Sequence, residues 1–289
     1  MIGTLTIFSY TNGMKNIYIT DLDHTFLRSD LSVSDYTKNI WNSYKDESIL
    51  GIATARTYKK TMQFLDNVVV NAPMILLDGA LIATVDKKII DTKFVTKEVG
   101  DTIIEEGAKL GIYPFVLSLV DGELNEAFSY ATTLNPYQQE IIKRYANDDH
   151  TQQFRSLRAM ENNFKIVYMA DEELLVTLEK NIQKIFGDTL KYILAPEAYM
   201  GCHFLTILHK DADKAHGIQS VSEAVGFDVG KLTVFGDNYN DIGMFELANR
   251  AVAVANAQEG VKEKADIVLP HTNDEDGVAR YLEGLANGT

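Results

Sequence analysis

The chain of 289 residues is long enough for two domains, and its 46% hydrophobic and 24% charged residues are typical of a soluble globular protein. Its formal net charge of −14 argues against binding to nucleic acid or to anionic membranes, because surfaces that bind those partners are basic. No apolar run is long enough to span a membrane, and the single cysteine, Cys202, cannot form an internal disulfide. We therefore predict a cytoplasmic protein, and the sequence leaves its oligomeric state open.

From residue 17 onward, short apolar runs alternate with amphipathic segments, which indicates βαβ units and a parallel sheet. Residues 1–13 show no clear periodicity, and we treat them as a leader of uncertain status. One predicted helix follows the capping residue Ser34, and a second covers residues 57–65. The predicted strands of this first part cover residues 17–19, 49–55, 74–77 and 81–85.

The middle of the chain shows a different pattern, in which strands and helices do not alternate regularly. We predict that residues 86–196 form an inserted α+β cap domain. Its predicted strands cover residues 89–95, 113–120, 164–170 and 190–194. Its predicted helices cover residues 97–110, 136–145 and 171–186.

The regular alternation returns in the last third of the chain. Strands are predicted at residues 204–208, 232–235, 251–255 and 267–269, and helices at residues 214–225, 241–248 and 275–285. The predicted fold class is α/β, with a Rossmann-like parallel sheet that carries helices on both faces and an inserted α+β cap. Residues 14–85 and 197–289 would form this core domain.

Two aspartates, Asp21 and Asp23, directly follow the predicted strand at residues 17–19. Open α/β sheets bind their ligands at the carboxyl ends of the strands, so both carboxylates are expected in a ligand site. Two acidic groups this close repel each other unless a cation lies beside them, and a hard divalent cation with oxygen ligands fits best. The pair therefore predicts Mg²⁺ and phosphoryl chemistry.

Three further segments carry polar groups suited to a phosphate and a metal. The strand predicted at residues 49–55 ends in Thr54-Ala55-Arg56, where a hydroxyl and backbone N–H groups lie near a helix start. Lys214 begins a helix and offers a cation for a phosphoryl group. The strand at residues 232–235 runs into the acidic segment Gly236-Asp237-Asn238-Tyr239-Asn240-Asp241. For Arg56 two interpretations stay open, a functional cation or the partner of a nearby acid.

These four segments, in this order, resemble the four motifs of the haloacid dehalogenase-like phosphohydrolases, and the insertion resembles the Cof-type branch. The resemblance extends from about residue 14 to the C-terminus. It implies that Asp21 is a nucleophile that forms an aspartyl-phosphate, that Asp23 is the general acid and base, and that Lys214 is catalytic. It implies that Mg²⁺ is held by Asp21, the backbone carbonyl of Asp23, Asp237 and Asp241. The implied phosphate-binding residues are Leu22, Thr54, Ala55, Lys214 and Asn240.

The chain departs from the family pattern at His24 and Ala55, where the family commonly has glycine. The resemblance implies a Mg²⁺-dependent phosphatase for a small phosphate ester, with a sugar phosphate as the expected substrate. A phosphomutase that uses the same aspartyl-phosphate is the alternative enzyme. A phospholigand-binding module without turnover is the non-enzymatic alternative, and the presence of both Asp21 and Asp23 disfavours it.

Overall fold

A computed structural model describes residues 15–144, 151–197 and 200–288 of the protein. The chain divides into two compact units, of which the first comprises the residues up to Thr92 and those from Asp213 onward. The second unit is Lys93–Ala212. The predicted leader, residues 1–13, lies outside the described residues, as does the last residue of the helix predicted at 136–145. No helix in the described ranges is both long and apolar enough to cross a membrane.

The strands and helices are numbered here in chain order. The strands are β1 (Asn16–Thr20), β2 (Ser48–Ile52), β3 (Met74–Leu76), β4 (Leu81–Ala83), β5 (Ile89–Thr92), β6 (Val95–Thr96), β7 (Phe115–Leu119), β8 (Glu126–Ala131), β9 (Thr151–Phe154), β10 (Asn162–Ala170), β11 (Leu190–Glu197), β12 (Cys202–His209), β13 (Leu232–Gly236), β14 (Arg250–Ala253) and β15 (Ile267–Val268). The helices are α1 (Asp35–Ser43), α2 (Tyr58–Phe64), α3 (Lys97–Lys109), α4 (Pro136–Arg144), α5 (Glu172–Phe186), α6 (Lys214–Val225), α7 (Ile242–Leu247), α8 (Glu259–Lys262) and α9 (Gly277–Asn287). The predicted capping residue Ser34 accepts a hydrogen bond at Oγ from the Thr37 N–H at 3.0 Å, which caps α1.

The first unit is built on a parallel sheet with the strand order β15-β14-β13-β1-β2. All residues of β2 and β13 are buried, as expected of parallel strands that are covered on both faces. Strands β3, β4 and β5 form a separate antiparallel sheet of the same unit. Because β1 lies between β13 and β2 in parallel register, the carboxyl ends of these three strands meet at one edge. The predicted α/β class with a parallel sheet is confirmed.

The second unit has its own sheet, with the strand order β11-β12-β10-β7-β8-β9 and β6 paired to β10. Neighbouring strands are antiparallel, except for the parallel pair β8 and β9. Helices α3 and α5 pack against this sheet, and their apolar positions recur at helical spacing. The buried core that results includes Ile103, Ile104, Leu175, Leu178, Ile182, Ile166, Leu205 and Ile207.

The bounds of the second unit differ from the predicted cap, residues 86–196. The strand predicted at 204–208 was expected in the core domain, but β12 pairs along its whole length with β11 and with β10. Pro196 lies within β11, at the edge of the sheet, where the missing N–H of a proline is tolerated. The strand predicted at 89–95 is divided, because β5 pairs with β4 in the first unit and β6 pairs with β10 in the second.

Candidate active site

The turn after β1 brings Asp21 beside the end of β13. The Asp21 N–H donates to the Phe235 carbonyl at 2.9 Å and so continues the pairing of the two strands. The chain then makes a tight turn over Leu22–Phe26. Within this turn the Thr25 hydroxyl donates to Asp237 Oδ1 at 2.9 Å. Two acidic segments that are more than two hundred residues apart in the sequence are thereby tied together.

Three carboxylates and one ammonium meet at this edge of the sheet. Oxygens of Asp21, Asp237 and Asp241 lie within 4.8 Å of one another, and all three residues are buried. Lys214 Nζ lies 2.5 Å from Asp21 Oδ1 and 2.6 Å from Asp241 Oδ1, and its side chain has no exposed surface. The lysine reaches this position because α6 begins at Lys214, directly after the capping residue Asp213. Residues from three of the four predicted motifs therefore share one buried cluster with Lys214 at its centre.

The segment after β13 fixes the position of Asp241. Asp241 Oδ2 accepts hydrogen bonds from the backbone N–H groups of Asp237 and Asn238, at 2.9 and 3.0 Å. Gly236 makes room for this contact, because a Cβ at that position would lie 2.5 Å from Asp241 Oδ2. The four-residue spacing between Asp237 and Asp241 therefore lets the Asp241 side chain fold back and bind the backbone of the turn that carries Asp237.

Burial and the charges of the cluster together explain the pKa shifts of its residues. Burial by itself lowers the pKa of Lys214, but Asp21 and Asp241 outweigh burial and raise that pKa above its usual value. Burial raises the pKa of Asp21 well above its usual value, although Lys214 opposes this. The raised pKa of Lys214 favours an ion pair between the two residues, whereas the raised pKa of Asp21 favours a protonated Asp21 carboxyl. Since Nζ lies within hydrogen-bond distance of two carboxylate oxygens, we assign the ion pair. Burial, with the Asp241 carboxylate second, raises the pKa of Asp237 to about 6.

This donor set fits a hard divalent cation. Lys214 donates a hydrogen bond to one oxygen of Asp21, and Thr25 donates one to one oxygen of Asp237. The second oxygen of each carboxylate accepts no hydrogen bond from the described residues, so it is available to a cation. Both oxygens of Asp241 accept hydrogen bonds. Three carboxylates face one ammonium, so a divalent cation would offset the two negative charges in excess.

The carboxylate of Asp23 is not among those that meet in the cluster. Arg56, which follows β2, binds it through two contacts, from Nε to Oδ2 at 2.7 Å and from Nη2 to Oδ1 at 2.5 Å. The Asp23 side chain is 35% exposed and that of Arg56 is 21% exposed. Of the two interpretations open for Arg56, pairing with a nearby acid is the one observed, and that acid is the predicted general acid and base.

The turn after β2 connects Thr54 to Asn240. Thr54 is buried, and its Oγ1 accepts the Arg56 N–H at 3.2 Å. The Thr54 carbonyl accepts the Asp78 N–H at 3.1 Å, and Asp78 Oδ1 accepts a hydrogen bond from Asn240 Nδ2 at 3.0 Å. The predicted phosphate-binding residues Thr54 and Asn240 are therefore linked through Asp78.

The remaining predicted residues differ in how they can face a ligand. The Leu22 side chain is fully buried, so only its backbone could contact a phosphate. Ala55 is half-buried and does not have a positive φ, so its Cβ causes no left-handed strain. His24 does have a positive φ of 57°, and its carbonyl accepts a hydrogen bond from Asn256 Nδ2 at 2.7 Å. The two departures from the family pattern therefore have different structural consequences.

Thr25 and Asp78 hold parts of the site together, although the motifs assigned no role to either residue. Thr25 stands inside the first motif, and only its hydrogen bond to Asp237 shows its function in the turn. Asp78 directly follows the strand predicted at residues 74–77. Leu77 and Asp78 both adopt left-handed conformations, with φ of 53° and 58°, and this places the Asp78 N–H at the Thr54 carbonyl. Its position as an acidic residue just after a predicted strand, like Asp21 and Asp237, is the one feature of the sequence that indicated Asp78.

Comparisons with known proteins identify relatives of this chain and a solved structure with the same fold. The chain is 26% identical over 287 residues to the 5-amino-6-(5-phospho-D-ribitylamino)uracil phosphatase YwtE of Bacillus subtilis, covering 95% of this chain and 99% of the relative. It is 24% identical over 276 residues to a phosphatase of the same description, YitU, from the same organism, covering 91% of this chain and 94% of the relative. A crystal structure of a haloacid dehalogenase-like hydrolase from Bacteroides thetaiotaomicron superposes with a TM-score of 0.77 at 23% identity, covering 94% of this chain and 99% of that one. The family model of the haloacid dehalogenase-like hydrolases matches residues 18–282, and the chain therefore belongs to that family.

Proposed function

We propose that this protein is a Mg²⁺-dependent phosphatase that hydrolyses a small phosphate ester through an aspartyl-phosphate on Asp21. The observation that carries the proposal is the buried contact of Lys214 Nζ with Asp21 and Asp241, inside a cluster of three carboxylates. A fully buried lysine held by two carboxylates supplies fixed positive charge where a phosphoryl group would otherwise be repelled. Membership of a hydrolase family supports the same reaction class.

In this mechanism Asp21 and Asp23 have different tasks. A carboxylate oxygen of Asp21 forms a bond to phosphorus as the ester P–O bond breaks, and Asp23, which enters this step as a neutral carboxylic acid, gives its proton to the departing oxygen. In the second step Asp23 takes a proton from water, the water oxygen bonds to phosphorus, and the Asp21–phosphorus bond breaks. Inorganic phosphate leaves, and both aspartates return to their initial states.

The other residues of the site bind Mg²⁺ and the phosphate or hold the binding residues in place. Asp21, Asp237 and the backbone carbonyl of Asp23 would hold Mg²⁺, which when bound supplies positive charge between the nucleophile and the phosphate dianion. Asp241 holds Lys214 and the turn that carries Asp237, through its two engaged oxygens. The other phosphate contacts would come from the Leu22 backbone, Thr54, Ala55 and Asn240.

For the substrate we propose a phosphorylated sugar or polyol. The two Bacillus subtilis relatives are named for a substrate that carries a phosphoribityl group, and the match covers more than nine-tenths of each. A panel of sugar phosphates, polyol phosphates, nucleotides and phosphopeptides tests this class directly. Higher kcat/KM for nucleotides or phosphopeptides than for every sugar and polyol phosphate would contradict it.

The reaction itself is tested with Asp21→Asn and with a chelator. The variant should lose turnover of p-nitrophenyl phosphate and of glycerol 3-phosphate, and acid quenching should no longer trap phosphate on the protein. The matched control is Asp188→Asn, an exposed aspartate of the second unit, which should retain activity. Excess chelator should abolish turnover and Mg²⁺ should restore it. Undiminished turnover by Asp21→Asn, or in excess chelator, would refute the mechanism.

A further inference from the structure

The ion pair between Asp23 and Arg56 joins two loops that follow neighbouring strands. Asp23 lies two residues after the proposed nucleophile Asp21, which itself follows β1. Arg56 lies beyond the end of β2. The contact is bidentate, with Nε to Oδ2 at 2.7 Å and Nη2 to Oδ1 at 2.5 Å. Planar, two-point contact of this kind fixes the orientation of a carboxylate as well as its position.

Arg56 is itself held at three points by its own unit. Its backbone N–H donates to Thr54 Oγ1 at 3.2 Å, and its carbonyl accepts the Leu77 N–H at 3.1 Å. Its guanidinium carbon lies 4.4 Å from the centroid of the Phe64 ring, on α2. Contact with an aromatic face restricts the guanidinium without using its N–H donors. The cation that holds Asp23 is therefore anchored before any substrate arrives.

We propose that Arg56 is the positioning residue for Asp23: through contacts to both oxygens it holds the Asp23 carboxyl group, protonated in the first step and ionised in the second, in the orientation from which protons pass to the leaving group and from water. This inference rests on the proposed function. Arg56 cannot be deprotonated in a protein, so it takes no part in proton transfer and acts only through Asp23. A bidentate contact uses one acceptor direction of each Asp23 oxygen and leaves the other for the transferred proton.

The competing explanation is an ordinary surface ion pair. Both side chains are partly exposed, and pairs of that kind stabilise a protein by about 1 kcal/mol or less. The chain offers a matched control in Arg28 and Asp276, a second arginine–aspartate pair with two contacts at 3.3 and 2.7 Å. Asp276 accepts further hydrogen bonds from Ser34 and Thr37, and none of these residues is a predicted site residue. Loss of Arg28 should therefore affect stability and not the transfer of protons.

The experiment compares Arg56→Ala with Arg28→Ala on two substrates of different leaving group. Glycerol 3-phosphate needs a proton on its departing alkoxide, whereas p-nitrophenyl phosphate has a good leaving group. We expect Arg56→Ala to lose roughly 10²-fold in kcat on glycerol 3-phosphate, within the range of general acid catalysis, and much less on p-nitrophenyl phosphate, with little change in KM. Millimolar guanidinium chloride should restore part of the lost kcat. Arg28→Ala should leave the ratio of the two rates at the wild-type value.

Arg56→Lys keeps a cation without the two-point contact, and it covers the case in which the alanine variant does not fold. It should show the same selective loss on glycerol 3-phosphate, to a smaller extent, with an unchanged urea unfolding midpoint. Equal losses on both substrates, or a rise in KM without a fall in kcat, would show that Arg56 binds phosphate directly and would overturn the inference. Wild-type rates in both Arg56 variants would also overturn it. The Asp21→Asn variant in the same assay separates the two claims, because its residual turnover would contradict the proposed function instead.

Discussion

Removing a candidate metal ligand should stabilise the metal-free protein. Burial, and then the Asp241 carboxylate, raises the pKa of Asp237 from an ordinary 3.8 to about 6. A group whose pKa is higher in the folded state contributes stability below its unfolded pKa and loses it as the pH rises through the folded value. This stability is therefore lost progressively as the pH rises from 3.8 to about 6, and above pH 6 the ionised Asp237 destabilises the fold by the full amount. At about 1.4 kcal/mol per pKa unit, the loss is roughly 3 kcal/mol at pH 7.5 and about half of that at pH 5.

The substitution Asp237→Asn removes this loss while keeping the shape of the side chain and an oxygen that can accept the Thr25 hydroxyl. Urea unfolding in excess chelator should show a gain of about 3 kcal/mol at pH 7.5 and about 1.5 kcal/mol at pH 5. The exposed control Asp188→Asn should show neither. Added Mg²⁺ should then stabilise the wild type and not the variant. An unchanged or lower stability of Asp237→Asn at pH 7.5, or a gain independent of pH, would refute the electrostatic reasoning.

Two further substitutions test the packing of the first unit. Hydrogen bonds from Arg28 and two hydroxyls outweigh burial and lower the pKa of Asp276. The substitution Asp276→Asn should therefore cost about 2 kcal/mol at pH 7 in urea unfolding curves, and this cost should become smaller as the pH falls below the ordinary 3.8 and through the lowered pKa. Gly79→Ala should cost about 3 kcal/mol or more, because φ is +90° and the new Cβ would lie 2.1 Å from the Asp213 carbonyl oxygen. Gly122→Ala, where a Cβ meets nothing within 4 Å, is its control, and thermal unfolding of the two variants should differ clearly.

The parts of the fold that follow from local pattern could be predicted from the sequence. Strands β1, β2 and β13 are buried on both faces, so their apolar runs are continuous and stand out. Strand β8 was not predicted, because its sequence shows neither a continuous apolar run nor a clear hydrophobic alternation. Its fully buried positions are Ala127, Ser129 and Ala131, while Phe128 and Tyr130 are only half-buried. When the inward residues are small and the large ones face the other side, hydrophobic alternation no longer marks a strand.

The candidate site was predictable to the extent that it depends on strand ends. Asp21 and Asp237 follow parallel neighbours, so a shared edge brings them together. The sequence left open that Arg56 pairs with a nearby acid, but it could not identify Asp23 as that acid, because the contact depends on the direction of two side chains in irregular turns. The role of Asp78 depends on two successive left-handed residues, which the sequence Leu77-Asp78-Gly79 does not specify.

The buried cluster links the stability of the protein to its proposed reaction. If Asp21, Asp237 and Asp241 served the fold alone, one ion pair with Lys214 would satisfy the buried lysine, and the further carboxylates would only destabilise the folded state. Asp241 has a structural use, because its second oxygen holds the turn after β13. Among the described residues, the Asp237 carboxylate has one hydrogen bond, from the Thr25 hydroxyl, and an uncharged asparagine would also accept it. Its negative charge is therefore the feature that packing does not explain, and a cation bound between Asp21 and Asp237 would account for it.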